Sequence, residues 1–357
     1  MNELSLTLQD GTQVTGQAFG AFEETEGEVV FTTGMVGYPE SFTDPSFKDQ
    51  ILVLTYTLVG NYGVPAESLD ANGLSRFFES QRIHLKGVIV TDYTEVPSHW
   101  NSSKTLSEWL REYGVPGITG VDTRALTKRL REKGALLGKI HPANIKPTKE
   151  FHDPNTDNLV AKVSIDKVTV YGEGKKHIAI VDTGMKLNIL HSFLERGLKV
   201  TRLPWNVSPF SLATKFDGVF FSNGPGDPMM VKETVEIMKE CFEHKIPTFG
   251  ICLGNQIMGL AAGAKTYKLK YGHRSQNQPC IEVKTGRCFI TSQNHGFAVD
   301  PKKLPKEWEV SFLNANDGTV EGIQHKKLPF FSAQFHPESN PGPTDSQILF
   351  DRYLDLL

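Results

Sequence analysis

Short apolar runs alternate with helix-length amphipathic runs from His177 to Ala262, and few folds accept that rhythm. The runs at 177–181, 199–203, 218–222 and 247–251 have strand length and little polar interruption. Between them, residues 187–196, 231–243 and 256–262 place apolar side chains at helical spacing. A strand that is apolar on both faces has to be covered on both faces. Strand–helix pairs joined by short connections therefore predict an α/β fold, a mostly parallel sheet with helices on both sides. In such sheets ligands bind at the carboxyl ends of the strands.

At 357 residues the chain has room for about two domains. Its character changes over residues 142–176, which are polar and contain proline and glycine, so domains are expected at 1–150 and 176–357 with a linker over 151–175. The first domain reads as strand-rich. Residues 4–8 alternate into the hairpin signal Asp10-Gly11, residues 28–33 and 51–57 read as buried strands, and helices are expected at 74–81, 105–113 and 122–133. After residue 262, strands at 280–291, 310–314, 322–325 and 330–335 would form an added β-region, closed by a helix over 345–357.

Composition removes several function classes. With 39% apolar and 22% charged residues the chain is neither disordered nor of low complexity, and a net charge of −3 lacks the basic excess of a nucleic-acid binder. No apolar run is long enough to span a membrane, and the first residues have neither a basic nor an apolar targeting segment, so a cytoplasmic setting is expected. Four cysteines without a C-x-x-C pair suggest neither a disulfide scaffold nor zinc, and with no H-E-x-x-H motif no metal is expected.

One cysteine stands apart. Gly250-Ile251-Cys252-Leu253-Gly254 has the form G-x-C-x-G where an apolar strand meets a helix, the pattern of a nucleophile elbow with cysteine in place of serine. The flanking glycines let backbone pack closely, the helix N-terminus favours negative charge on sulfur, and the Leu253 N–H can donate into an oxyanion hole. A buried structural cysteine at a tight turn is the bland alternative. Cys241, Cys280 and Cys288 have no such frame and are expected to be packing residues. A cysteine nucleophile needs a base and a group to orient it. His336 follows an apolar strand, and Glu338, two residues on, can hold one imidazole tautomer. His295 is a rival base without a following carboxylate. The loop Asn223-Gly224-Pro225-Gly226-Asp227-Pro228 follows another strand and exposes backbone N–H groups suited to an anion.

Together these segments resemble the class I triad glutamine amidotransferases, whose flavodoxin-like fold is then implied for the second domain. Gly34-Met35-Val36-Gly37-Tyr38-Pro39-Glu40, Thr43-Asp44-Pro45-Ser46, Gly60-Asn61-Tyr62-Gly63, Gly120-Val121-Asp122-Thr123-Arg124, Ser292-Gln293-Asn294-His295-Gly296-Phe297 and Asn316-Asp317-Gly318 extend the resemblance to carbamoyl phosphate synthetase small subunits over nearly the whole chain. The wording is nearest the glutaminase segment of eukaryotic multifunctional pyrimidine-pathway (CAD-type) proteins. The resemblance implies that Cys252 attacks L-glutamine, His336 moves the proton and Glu338 orients it. It implies oxyanion donors at Gly224 and Leu253, and glutamine-binding positions at Ser46, Gly226, Gln256, Asn294, Gly296 and Phe297. Ser46 would bring the site near the domain interface, and Lys186 lies in a family motif near the site. The implied partner is a synthetase subunit or domain that makes carbamoyl phosphate from ammonia and bicarbonate. ATP and Mg would belong to that partner, and no cofactor to this chain. Asn255 stands where most relatives carry histidine and resembles the urea-cycle branch, against the rest of the resemblance, by which pyrimidine synthesis is expected ahead of arginine or urea. A stand-alone cysteine hydrolase and a docking module with a vestigial cysteine are the competing readings. The N-terminal half argues against the first and the complete triad against the second.

Overall fold

Leu4, Leu6 and Leu8 alternate along strand β1 (Glu3–Leu8) and all are fully or almost fully buried. That strand belongs to a closed barrel in the computed structural model, which describes residues 2–357. The other barrel strands are β2 (Gln13–Gly20), β3 (Thr25–Thr32), β4 (Gln50–Leu54), β5 (Gly87–Ile89), β6 (Pro116–Thr119) and β7 (Leu136–Pro142), in the order β1-β2-β6-β5-β4-β3-β7. Three helices accompany them: α1 (Tyr38–Thr43), α2 (Leu106–Glu112) and α3 (Thr123–Lys133). Thr105 and Glu108 form a reciprocal capping box at the start of α2, and the Asp122 carboxylate accepts the Ala125 N–H at the start of α3. Residues up to Asn155 make one compact unit and those from Thr156 another.

The helix expected at 74–81 is instead a series of turns. Asp70 accepts the Asn72 and Leu74 N–H groups, Ser75 Oγ accepts that of Phe78, and Thr43 Oγ1 accepts that of Glu79. Side-chain oxygens thus take the donors that a helix would need for its own ladder. The apolar spacing came from packing on the barrel, not from helical periodicity.

The second unit is built on a sheet of order β14-β13-β15-β16-β17-β12-β11-β9-β10-β8. Its strands are β8 (Thr169–Tyr171), β9 (His177–Asp182), β10 (Lys199–Pro204), β11 (Gly218–Phe221), β12 (Thr248–Ile251), β13 (Lys265–Glu282), β14 (Cys288–Asp300), β15 (Trp308–Asn314), β16 (Val320–His325) and β17 (Phe330–Ala333). The run β17-β12-β11-β9-β10 is parallel throughout. Helices α4 (Leu187–Glu195), α5 (Lys232–His244), α6 (Leu253–Ala262) and α7 (Ile348–Leu354) complete the unit. The parallel strands are apolar on both faces, as expected, and β11 and β12 are buried along their whole length.

Three expectations need correcting. The stretch 151–175 is not a free linker: β8 pairs antiparallel with β10, and Val160 joins the hydrophobic core. Residues 280–291 are two strands, not one. The chain turns between Glu282 and Cys288 with Gly286 at φ +72°, so that Ile281 pairs with Cys288. Cys288 is exposed, whereas Cys241 and Cys280 are buried packing residues. The β-region after residue 262 extends the same sheet.

On one side of the sheet Phe193 of α4 meets Phe220 and Phe350 edge-to-face at centroid distances of 4.9 and 5.1 Å. All three are fully buried. Phe193→Ala should lower unfolding free energy by about 3–5 kcal/mol, the usual range for a deleted core aromatic. Denaturant titration measures this, and a loss under about 1 kcal/mol would contradict the packing.

Candidate active site

Strand β12 ends at Ile251 and α6 starts at Leu253, which leaves Cys252 to make the whole change of direction. It does so at φ 54° and ψ −101°, a conformation that costs a non-glycine residue of order 1–3 kcal/mol. Neighbouring backbone enforces it. The Cys252 N–H donates to the Ala333 carbonyl at 2.8 Å, extending the β12–β17 pairing, and the Gly254 N–H donates to Ser222 O at 3.1 Å. A Cβ on Gly254 would lie 2.4 Å from Phe221 O, and one on Gly250 would lie 2.6 Å from Gly254 O. Any side chain at either position would push the turn open. The thiol is 2% exposed, and its sulfur lies 3.6 Å from Asn294 O of β14.

His336 emerges beyond β17 and is tied to β14 by its N–H, which donates to Ser292 O at 2.9 Å. Its Nδ1 lies 2.6 Å from Glu338 Oε1. Its Nε2 makes no hydrogen bond of ordinary length among the described residues, and the Cys252 sulfur is close enough to act on the ring. Burial opposes a charged imidazole, but the Glu338 carboxylate and then the Cys252 sulfur outweigh it and hold His336 well above the ordinary imidazole range.

Glu338 is fully buried, so desolvation alone would raise its pKa. The Lys186 ammonium, 3.1 Å from the same Oε1, and then His336 overcome that and hold the carboxyl well below its usual range. Lys186 is itself anchored: its N–H donates to Asn223 Oδ1 at 3.0 Å and its ammonium to Ser339 O. The Asn188 amide donates to Glu338 O. Lys186, Glu338 and His336 thus form a row of alternating charges, closed off from water, that ends beside the thiol. The sequence singled out Lys186 only through the family motif. Its physical signal is a lone lysine in the otherwise uncharged turn Thr183-Gly184-Met185-Lys186 between β9 and α4. Nothing in sequence marked Asn188 or Ser339.

The other expected site residues fall in four places. Gly224 and Gly226 lie in the loop after β11, beside Asn223, which holds Lys186. Asn294, Gly296 and Phe297 lie on β14, and Leu253 and Gln256 in the first turns of α6. Gln256 donates to Phe297 O at 2.9 Å and to Gln334 Oε1 at 3.2 Å. Asn255 is fully buried beside it, donates to the same Gln334 oxygen at 2.9 Å and accepts from Ser332 Oγ at 2.8 Å. Asn255 therefore binds the helix that follows Cys252 to the strand that precedes His336. Ser46 lies in the N-terminal unit, in a single helical turn where its N–H donates to Asp44 Oδ1 at 2.9 Å. The rival base His295 is buried and held neutral by desolvation; its Nδ1–H donates to Phe297 O at 2.8 Å, and its Nε2 faces Gln293.

Such an arrangement suits acyl transfer. A thiol at a helix N-terminus can attack a carbonyl carbon while an adjacent imidazole, oriented by a buried carboxylate, takes its proton and passes it to the leaving group. Two family models match the chain: carbamoyl-phosphate synthase small chain, CPSase domain, over residues 6–140, and glutamine amidotransferase class-I over 179–356. Among curated proteins, the multifunctional protein CAD of Squalus acanthias is 51% identical over 98% of this chain, and multifunctional protein ura1 of Schizosaccharomyces pombe is 45% identical over 99%. This chain spans 16% and 17% of those two proteins. The carbamoyl phosphate synthase arginine-specific small chain of Chaetomium globosum is 49% identical over 99% of this chain and 78% of its own length.

The charge row makes a titration prediction. A histidine whose folded-state pKa is raised keeps its proton through neutral pH and loses it only as pH rises through that raised value. Imidazole ¹⁵N NMR should show His336 protonated at pH 7, and Glu338→Gln should bring its titration down toward the ordinary imidazole range. A His336 resonance already neutral at pH 7 in the unmodified chain would contradict the electrostatic account.

Proposed function

Because this chain belongs to the carbamoyl phosphate synthase small-chain family, we propose that it is the glutamine-hydrolysing component of a carbamoyl phosphate synthetase. The observation that carries this reading is the meeting of the strained Cys252 turn with the buried His336–Glu338 pair. Cys252 Sγ attacks the side-chain amide carbon of glutamine. Negative charge develops on the amide oxygen, where the N–H groups of Leu253 and Gly224 are assigned as donors. His336 takes the Cys252 thiol proton and passes it to the departing nitrogen, ammonia leaves, and a γ-glutamyl thioester remains on Cys252. His336 then takes a proton from water, which hydrolyses the thioester and frees glutamate. Glu338 keeps the imidazole in one orientation, and Lys186 keeps Glu338 ionised. Ser46, Gly226, Gln256, Asn294, Gly296 and Phe297 are assigned to glutamine binding.

Ammonia passes to a synthetase subunit or domain that makes carbamoyl phosphate from it with bicarbonate; the ATP and Mg of that step are assigned to the partner. We favour pyrimidine synthesis over arginine or urea synthesis. The wording of the chain supports this choice, and Asn255 is the residue that leans the other way. A cytoplasmic setting goes with that choice; among the described residues no helix is long and apolar enough to cross a membrane.

Two measurements test the reading. Cys252→Ala should abolish glutamine hydrolysis while the synthetase partner still uses free ammonia, and His336→Ala should slow thioester formation by at least about 10²-fold, the scale of a lost general base. Retained glutamine turnover in Cys252→Ala would overturn the assignment. Glutaminase activity should also rise when the partner binds, and an isolated chain already at its full rate would contradict coupling between the two.

A further inference from the structure

Behind the β14 segment that meets the thiol lies a second buried cluster that the glutaminase chemistry does not use. His273 of β13 and His295 of β14 are direct cross-strand partners, and Glu321 comes from β16. All three are buried, and His273 Nδ1, His295 Nε2 and a Glu321 oxygen fall within 4.8 Å of one another.

The outer hydrogen bonds fix which ring atoms face inward. His273 Nε2 lies 2.9 Å from Asp317 Oδ2, an acceptor, so in the neutral ring Nε2 carries the hydrogen and Nδ1 is a lone pair, whereas an imidazolium would instead donate from Nδ1 to Glu321 Oε1, 3.3 Å away. His295 Nδ1 lies 2.8 Å from the Phe297 carbonyl, so the same reasoning leaves its Nε2 bare. Gln293 Oε1 approaches that Nε2 at 3.2 Å. The Gln293 amide is oriented by Thr291, whose hydroxyl donates to Gln278 O and therefore accepts from Gln293 Nε2 at 3.2 Å. His273 Nδ1, His295 Nε2 and a Glu321 oxygen thus converge on one buried spot, with Gln293 Oε1 beside His295 Nε2. Among the described residues Glu321 Oε2 has no hydrogen-bond partner, and His273 Nδ1 faces only Glu321 Oε1. A buried carboxylate oxygen without a donor is costly, and a cation held by these groups would satisfy it.

We propose that His273, His295, Glu321 and Gln293 hold a divalent metal ion of the zinc type. Two imidazoles, a carboxylate and an amide oxygen are borderline donors that suit zinc better than magnesium or calcium, which take oxygen shells. His273 Nδ1 and Glu321 Oε1 are 3.3 Å apart, the spacing of two ligands each about 2 Å from a tetrahedral centre. Asp317 and the Phe297 carbonyl supply the outer bonds that orient metal-binding imidazoles. The ion would lock β13, β14 and β16 together immediately behind Asn294 and Phe297. Sequence could not show this, because the donors lie on three strands with no local ligand spacing. The inference rests on the fold alone and does not depend on the glutaminase reading.

The test uses the full chain, stripped with chelator and then titrated with zinc or with cobalt(II). The chain should retain about one zinc per molecule after dialysis, melt at a higher temperature with zinc than without, and give the intense visible bands of tetrahedral cobalt(II). His273→Gln and Glu321→Gln should lose the retained zinc and the zinc-dependent rise in melting temperature. A wild-type chain that keeps no zinc, does not gain melting temperature and gives no tetrahedral cobalt bands would overturn the proposal, leaving a hydrogen-bonded His–Glu cluster. So would variants that retain zinc as the wild type does. If the variants fail to fold, the wild-type cobalt spectrum decides.

Discussion

Everything at the active centre depends on a single turn in which three backbone segments nearly touch. Gly250 and Gly254 let the end of β12 and the start of α6 close on each other and on β11, and that closure holds Cys252 at positive φ. Packing supplies the strain energy, since the turn lies between fully buried parallel strands with aromatic layers beside them. The same geometry starts a helix directly behind the sulfur, so strain and helix dipole act on one atom.

The second organising element is electrostatic. A carboxylate with no exposure is tolerable only if it is paired, and Glu338 is paired twice, with Lys186 on one side and His336 on the other. These residues come from the turn after β9 and from the segment after β17, so the parallel sheet brings two distant pieces of chain to the same edge. The buried amides of Asn255, Gln256 and Gln334 tie the helix that follows Cys252 to the segment that leads to His336. Asn255, a departure from the common family wording, is thus a fitted part of this network.

Legibility from sequence followed the range of the forces involved. The parallel strands and their helices were readable because their periodicity is local, and Cys252 because glycine spacing records a close approach. His336 and Glu338 were readable because they are two residues apart after an apolar run. The turns at 74–81 were misread as helix because their apolar spacing reflects packing on a barrel, while their hydrogen bonds run to Asp70, Ser75 and Thr43. The edge strand at 169–171 was hidden in a polar stretch whose pairing partner lies some thirty residues on. Lys186 acts on Glu338 across more than 150 positions, and the His273–His295–Glu321 cluster joins three strands, so neither has a local pattern to read.

In the proposed mechanism the strained turn presents Cys252 as the residue that takes the acyl group. Rapid acid quench of the chain with labelled glutamine, followed by peptide mass spectrometry, is the decisive measurement. A γ-glutamyl adduct is expected on the peptide that contains Cys252 and on no other cysteine peptide. Label on Cys241, Cys280 or Cys288, or turnover with no covalent adduct under conditions that preserve thioesters, would contradict it.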